Sequence, residues 1–186
     1  MSIGPFPEWP PHNHVGSTAI VGRPLAPYMA NQHASLGLSS PAFEDGDRIP
    51  DQYGREARDI NPPLEISDVP GDTESLALLV EDPDAKAVAG KVWTHWLVYD
   101  IAANRREIPK DWDAEAATEG RNDFEEREYG GPSPPEGTHT YVFRLYALDD
   151  QPTMFDPATE EDFQRSIEGA VIDEAELRGT YSASQR

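Results

Sequence analysis

The chain has 186 residues, enough for one domain with its own core, and 35 acidic against 15 basic residues give it a formal net charge of −20. Such a charge repels nucleic acid and anionic bilayers, so neither is an expected partner. No apolar run approaches the ~20 residues of a membrane span, and the sequence starts without a secretory signal pattern. The absence of cysteine excludes disulfides and thiol chemistry. We therefore expect a cytoplasmic protein.

The acidic residues are interspersed among strand-like segments, which indicates the surface of a folded protein rather than disorder. The lysines are few: Lys86, Lys91 and Lys110. A carboxylate-rich, lysine-poor surface suits a cytoplasm of molar salt, where the Debye length is about 3 Å and self-repulsion is screened. The composition therefore predicts a protein from a halophile, with an acidic protein from ordinary salt as the alternative.

Residues 1–35 are rich in proline, hold three of the five histidines and show no sustained period. They predict an irregular N-terminal arm in front of a domain over residues 36–186. The stretch "STAIVGRPLAPYMANQHASL" is apolar enough to dock on the chain's own core or on a second subunit. A homodimer that involves the arm is the assembly we expect.

From residue 36 onward, short apolar segments alternate with turn-rich ones. Strands are predicted at "LGLSSPAF", "PPLEISDVP", "SLALLVEDP", "KVWTHWLVYDIA" and "TYVFRLYALD". The fourth is apolar on both faces, so it should lie centrally between layers. Strict alternation in this strand places Trp93, His95, Leu97 and Tyr99 on one face and Trp96 on the opposite face.

The helical signal comes late, in "PATEEDFQRSIEGAVIDEAELRGTY". Thr159 with Asp162 three residues on is close to a capping pair, and apolar residues then follow near helical spacing: Phe163, Ile167, Ala170, Val171 and Leu177. Strands first and a helix last predict a mainly β fold, an antiparallel β-sandwich with a peripheral C-terminal helix. Residues 102–137 lack a regular pattern, and so long a loop is typical of a functional segment.

Polar groups that could form a site stand in or beside the strong strands. Asp82 and Asp84 lie in "EDPDA" at a strand end, His95 lies between two tryptophans, and His139 and Tyr141 share a strand face behind the Gly/Pro loop "EYGGPSPPEG". Each has an ordinary interpretation: a turn, a hydrogen-bonded core histidine, a connector or a wet strand face. Together they are what a small concave site on a rigid scaffold needs.

The motifs "DPDA", "WTHW" and "YGGPSPPEGTHTYVFRLYAL", in this order, resemble the phosphatidylethanolamine-binding protein family, above all its prokaryotic branch. The resemblance covers about residues 36–183. It implies two antiparallel sheets in a Greek-key arrangement with C-terminal helical segments. It also implies a small anion pocket that accepts phosphate, acetate or a phosphorylated head group. Carried onto this chain, the pocket residues are Asp82, Pro83, His95, Gly131, His139 and Tyr141.

The residue types suit such a pocket. An imidazole and a phenol donate hydrogen bonds to an oxyanion, backbone N–H groups of a glycine loop complete the cradle, and Asp82 could hold an imidazole in its tautomer. Two departures from the family pattern stand out: Lys86 where the family usually has proline, and Thr140 in "HTY" where it usually has arginine. Neither removes a donor from the pocket.

The resulting hypothesis is a non-catalytic binding protein for a small anionic or phosphorylated ligand, without cofactor or metal. A regulatory role toward a protein partner, such as modulation of a kinase or protease, is implied by the family alone. Two alternatives stay open. Asp82, Asp84, His95 and His139 could hold zinc or iron, or a hydrolase or lyase could use His139 or His95 as a general base near Asp82. Neither a Gly-x-Ser-x-Gly elbow nor a nucleotide fingerprint supports the enzyme.

Overall fold

The structure, a computed structural model, describes residues 35–183, so the predicted arm lies outside the described residues apart from its last position. The described part holds eight strands and two α-helices. In chain order they are β1 (Gly37–Ser39), β2 (Leu64–Ser67), β3 (Ser75–Asp82), α1 (Lys86–Ala89), β4 (Trp93–Ala102), β5 (Glu107–Ile108), β6 (Thr118–Glu119), β7 (Thr138–Leu148), α2 (Glu160–Ser166) and β8 (Val171–Ser182).

The strands form two sheets in which all neighbours are antiparallel. The large sheet has the order β6-β4-β3-β7-β8 and the small sheet the order β1-β2-β5. The prediction of a mainly β fold with two antiparallel sheets is therefore confirmed, whereas the Greek-key connection stays a prediction. Of the strands that the sequence predicted, the long ones are β3, β4 and β7, which lie inside the large sheet and are mostly buried on both faces.

Two apolar clusters cover the two faces of the large sheet. On one face Val80 and Phe143 pack with Leu64 and Ile66 of the small sheet. The other face, which carries Leu97, lies under α2 and the segment before it. The large sheet is thus sandwiched between a second sheet and a helix, and the polar ends of its strands are where a site can open.

The predicted C-terminal helix is correct only in its first two turns. The capping pair is present, since the Thr159 hydroxyl accepts from the Asp162 N–H and the Asp162 carboxylate accepts from the Thr159 N–H. The helix ends at Ser166, however, and residues 171–182 form β8 against β7. Burial in β8 alternates from Ala175 to Tyr181, which is the period of a strand. Pairing with the edge of β7 outweighs the helical spacing.

A β-bulge in β4 changes the face of the sheet toward which its side chains point. Val80 pairs with Trp96 and Glu81 pairs with Thr94, which leaves His95 without a partner on β3. His95 and Trp96 therefore both turn toward the small sheet, where His95 contacts Tyr141 and Trp96 joins the inter-sheet core. Trp96 thus packs between the two sheets. Strict alternation was wrong: Leu97 packs under α2, on the face away from His95.

The helices of the described residues are short. Between residues 35 and 183, α1 and α2 span four and seven residues, and none is long and apolar enough to cross a bilayer.

Candidate functional site

A cavity of about 400 Å³ opens at the end of the large sheet, where β3, β4 and β7 finish or begin. Strand residues form its floor, the segment around α1 forms one wall, and the loops after β6 and before β7 form the other. The lining residues are Asp82, Ala85, Val88, Ala89, Trp93, His95, Phe124, Ser133, Pro135, His139 and Tyr141. The floor is polar and the mouth is apolar, so the cavity suits a molecule with a polar end.

A buried carboxylate fixes the orientation of one imidazole. Asp82 Oδ2 lies 2.7 Å from Nδ1 of His139, and Asp82 Oδ1 accepts a hydrogen bond from the backbone N–H of Ala85 at 3.0 Å. Because a carboxylate oxygen accepts, Nδ1 of His139 carries the proton. The other ring nitrogen, Nε2, is left for a molecule in the cavity. Asp82 thus takes the tautomer-setting role that the sequence suggested for it.

The second imidazole, His95, is oriented by a backbone carbonyl. Its Nδ1 lies 2.6 Å from the carbonyl oxygen of Gly130, and a carbonyl only accepts, so Nδ1 donates. The ring lies edge-on to Phe124 and Tyr141, with centroids 5.4 Å and 5.1 Å away. Burial lowers the pKa of His95, against the opposing effect of the Gly130 hydrogen bond. The ring is therefore neutral near pH 7, and its free Nε2 is an acceptor.

Two buried donors in the cavity wall make no hydrogen bond of ordinary geometry within residues 35–183. They are the indole nitrogen of Trp93 and the hydroxyl of Tyr141, a residue 1% exposed whose hydroxyl lies near the Asp82 carboxylate and the Ser133 backbone. Burial, reinforced by the nearby charge of Asp82, raises the pKa of Tyr141 above its usual value, so the phenol stays protonated. Buried donors are almost always satisfied in proteins. These two donors are therefore left available to an acceptor that enters the cavity, a ligand or water.

The wall opposite α1 is organised by a buried asparagine that the sequence analysis did not single out. Asn122 Oδ1 accepts from the N–H groups of Phe124 at 2.9 Å and Glu126 at 3.0 Å, and its amide donates to the Glu128 carbonyl at 2.9 Å. This turn presents Phe124 to the cavity. The only sequence signal was the turn-forming "RND" inside the long loop, whose predicted functional role agrees with this position.

The structure brings four of the six predicted binding residues to the cavity: Asp82, His95, His139 and Tyr141. Pro83 does not line it. This proline is exposed, and its carbonyl accepts the N–H of Lys86 at 3.3 Å as α1 begins. Its fixed backbone helps to turn the chain away from β3 rather than to contact a ligand.

Gly131 does not line the cavity either, because its N–H is already used. It donates to Asp59 Oδ1 at 2.7 Å, so it is not available to an anion, contrary to the predicted cradle. A Cβ at this position would collide with the Tyr53 carbonyl oxygen and would lie 2.6 Å from the backbone nitrogen of Arg55. Glycine is needed here so that the Gly/Pro loop can pack backbone to backbone on residues 53–55.

Gly131→Ala is expected to destabilise the fold by about 2–3 kcal/mol, the cost of overpacking a rigid contact. Denaturant unfolding measures the loss. Gly71→Ala is the matched control, since a Cβ there meets nothing within 4 Å and its φ is not positive. Equal stability of the two variants would contradict the close approach.

Two cations at the rim, Lys91 and Arg55, are already paired. Lys91 Nζ lies 2.6 Å from Asp123 Oδ1 and 5.3 Å from the centre of the Trp93 ring. Arg55 stacks on Phe124 at 3.9 Å and makes two hydrogen bonds with Glu126, both at 2.9 Å. These pairs fix the aromatic walls. An anion inside the cavity is consequently met by neutral donors rather than by a free cation of the lining.

The four candidate metal ligands do not converge. Asp82 and His139 are bonded to each other, and Asp84 is exposed with its Oδ2 accepting the N–H of Thr140 at 2.8 Å. Within residues 35–183 no three histidine, cysteine or acidic side chains are grouped as a metal centre. The described geometry therefore does not support the metal alternative.

Fold and site together define a class: a two-sheet antiparallel β protein with a half-polar cavity at one end of its large sheet, floored by an Asp–His pair, a second histidine and a tyrosine. A family model described as phosphatidylethanolamine-binding protein matches residues 39–182. The chain belongs to this family, as the sequence motifs predicted.

Individual relatives agree with this assignment. A UPF0098 protein from Methanothermobacter thermautotrophicus is 40% identical over 151 residues, which covers 78% of this chain and 98% of the relative. A crystal structure of a phosphatidylethanolamine-binding protein homolog from Chlamydia trachomatis aligns with a TM-score of 0.76 at 36% identity, covering 81% of this chain and 99% of that one. YbcL of E. coli aligns with a TM-score of 0.74 at 28% identity, covering 81% and 100%.

Proposed function

We propose that this chain is a non-catalytic binding protein for a small oxyanion, such as phosphate, acetate or a phosphorylated head group. The observation that carries the proposal is the pair of buried, unpartnered donors, the Tyr141 hydroxyl and the Trp93 indole N–H. Both belong to residues that line one cavity with two imidazole rings. Membership of a family named for binding phosphatidylethanolamine supports a ligand at this place.

The charge of the chain does not argue against an anion in this cavity. The one carboxylate of the lining, Asp82, is bonded on both oxygens, to His139 and to the Ala85 N–H. Hydrogen bonds from neutral donors to an ionised oxygen are about twice as strong as those between neutral groups. The apolar mouth then favours an oxyanion with a carbon substituent over the bare ion, because Val88 and Phe124 would lie against that substituent.

Tyr141→Phe is expected to weaken binding of inorganic phosphate and of phosphorylethanolamine by about tenfold or more, since it removes one hydrogen bond to a charged group. Isothermal titration calorimetry with each probe measures the change. Tyr99→Phe makes the same chemical change on the other face of the large sheet, under α2, and serves as the control. Unchanged affinity in Tyr141→Phe, or no binding of either probe to the wild type, would contradict the proposal.

A second candidate function rests on the Asp82–His139 pair, which has the geometry of a general base held by a carboxylate. Such a base could activate a side-chain hydroxyl or a water molecule. Ser133 lines the cavity, but no hydrogen bond joins it to His139 in the described structure. Binding therefore ranks above catalysis. Release of phosphate from a phosphomonoester, abolished by His139→Ala, would reverse this order.

The remaining expectations rest on the sequence and the family resemblance. They are a cytoplasmic location, a high-salt source, a protein partner that this chain regulates, and a homodimer through residues 1–35. The arm lies outside the described residues, so deleting it and comparing the mass of the two proteins in high salt is the direct experiment on the dimer.

A further inference from the structure

The floor of the cavity has a defined pattern of donors and acceptors. Both imidazoles donate their Nδ1–H to the protein, His139 to the Asp82 carboxylate and His95 to the Gly130 carbonyl oxygen. In its neutral form, either ring then offers only an Nε2 lone pair to the cavity. The donors are the Tyr141 hydroxyl and the Trp93 indole. A ligand thus meets two donors and two acceptors.

A fully ionised oxyanion has lone pairs but no hydrogen, so it matches the two donors and faces the two imidazole lone pairs without a hydrogen bond. One additional proton turns one of these two contacts into a hydrogen bond. We infer that the cavity binds an oxyacid together with one proton, held between a ligand oxygen and Nε2 of His139. This inference rests on the proposed function and specifies the chemistry of the ligand that the same site accepts.

His139 holds the additional proton better than His95 does, because the Nδ1 of His139 already contacts a carboxylate. When His139 carries a second proton, Asp82 at 2.7 Å becomes its counter-ion. His95 has only a neutral carbonyl as partner, and its burial disfavours a charge. The pair Asp82–His139 can therefore absorb a positive charge that His95 cannot.

The other ionisable groups around His139 do not compete for this role. From β4 it is faced by His95, from β7 by Tyr141, and from β8 by Tyr181, its register partner. The two tyrosines are neutral because burial raises the pKa of each. The rim carries the Lys91–Asp123 pair, which is bonded within itself, and exposed Lys86 on α1.

The cavity should therefore bind those oxyanions more tightly that can hold a proton near neutral pH. Phosphate monoesters, phosphonates and carboxylates can bring or share a proton. Sulfate and sulfonates have the same shape and similar charge but remain fully ionised, so they can bind only if the protein itself supplies the proton. The site should therefore prefer the phosphoryl group to the sulfuryl group by chemistry rather than by size.

Calorimetry of the full chain with phosphorylethanolamine, at about pH 8 in buffers of different ionisation enthalpy, tests the inference, because a phosphomonoester has no P–OH hydrogen at that pH. We expect uptake of about one proton per phosphorylethanolamine bound, and an affinity that rises as the pH is lowered. Inorganic phosphate brings its own hydrogen at this pH, and sulfate, which has none, is expected to bind about tenfold more weakly than phosphate, the loss of one charge-assisted hydrogen bond. Phosphorylethanolamine binding with no proton uptake would overturn the inference and leave the proposed function standing. No binding of phosphorylethanolamine or phosphate at all would overturn both.

The variant His139→Gln tests whether His139 is the residue that holds the proton. A glutamine amide can donate a hydrogen bond without taking up a proton. The variant should therefore bind phosphate and sulfate alike, and its proton uptake with phosphorylethanolamine should be close to zero. His95→Gln is the matched comparison and should keep the uptake and the preference for phosphate. A purely structural role of His139 would lower both affinities and leave their ratio unchanged. Should His139→Gln fail to fold, the wild-type proton count and the phosphate-to-sulfate ratio still decide.

Discussion

Asp82→Ala is expected to lower the free energy of unfolding by about 3 kcal/mol, because it leaves two buried donors unsatisfied at once. The His139 Nδ1–H loses its acceptor, and so does the Ala85 N–H that begins the turn into α1. Both Asp82 and His139 are buried, so water does not replace the lost bonds freely. Denaturant unfolding measures the loss. The variant should also bind phosphate more weakly, since a charged His139 would lack its counter-ion.

Asp84→Ala is the control for Asp82→Ala, two residues further along the same segment. Asp84 is exposed and accepts a single hydrogen bond, from the Thr140 N–H. Its replacement should cost less than about 1 kcal/mol and leave phosphate binding unchanged, because solvent can satisfy the freed N–H. Similar losses in the two variants would mean that the buried pair does not support the site as described.

The central sheet could be predicted because its strands are marked locally. β3 and β4 are apolar runs of strand length, bounded by "GDTE" and by Asp-Pro or Gly-Lys, and β7 follows a Gly/Pro loop. β5 and β6 have two residues each, which is too short for any period to appear. They form because β2 and β4 offer edges for pairing, and such edges are set by tertiary structure.

β8 shows why the end of the chain was misread. The segment from Ile167 to Leu177 fits a helical spacing, while β8 alternates in burial as a strand from Ala175 onward. A short apolar pattern often satisfies both periods. The deciding factor is the open edge of β7, whose backbone groups pair with eleven positions from Val171 to Ser182. Nothing near residue 171 in the sequence reveals that edge.

Some residues of the candidate site are likewise marked in the local sequence, and others depend on tertiary contacts. His95, His139 and Tyr141 could be proposed because polar groups in strong strands are unusual and two of them share a face. Gly131 could not be judged, because its N–H is taken by Asp59, 72 residues earlier in the chain. The bulge at His95 is likewise a property of the pairing with β3. Sequence patterns thus pointed to residues that line one cavity but did not determine their hydrogen bonds.

Trp96→Ala is expected to cost about 4 kcal/mol of stability, within the range for removing a large aromatic side chain from a core. Trp96 is fully buried between the sheets, edge-on to Tyr129 and Trp112 with centroids 5.6 Å and 6.1 Å away. Its indole N–H donates to Glu119 Oε1 at 2.7 Å, and burial raises the pKa of that carboxyl. The variant leaves a cavity and removes this hydrogen bond. Denaturant unfolding measures the combined effect.

Trp93→Phe is the counterpart, three residues earlier in the same strand. Trp93 lines the ligand cavity and its indole N–H is unpartnered, so phenylalanine keeps most of the contact with Phe124 and loses only the donor. Stability should change by less than about 1 kcal/mol, whereas phosphate affinity should fall about tenfold, as expected for one hydrogen bond to an anion. The reverse result, a folding defect without a binding defect, would place Trp93 in the core. The bulge brings His95 and Trp96 to the same side of β4, so side-chain direction does not distinguish the cavity from the core. The position along the strand does: Trp93 lines the cavity and Trp96 packs in the core. Comparing stability and phosphate affinity in the two tryptophan variants therefore tests where along β4 the cavity ends.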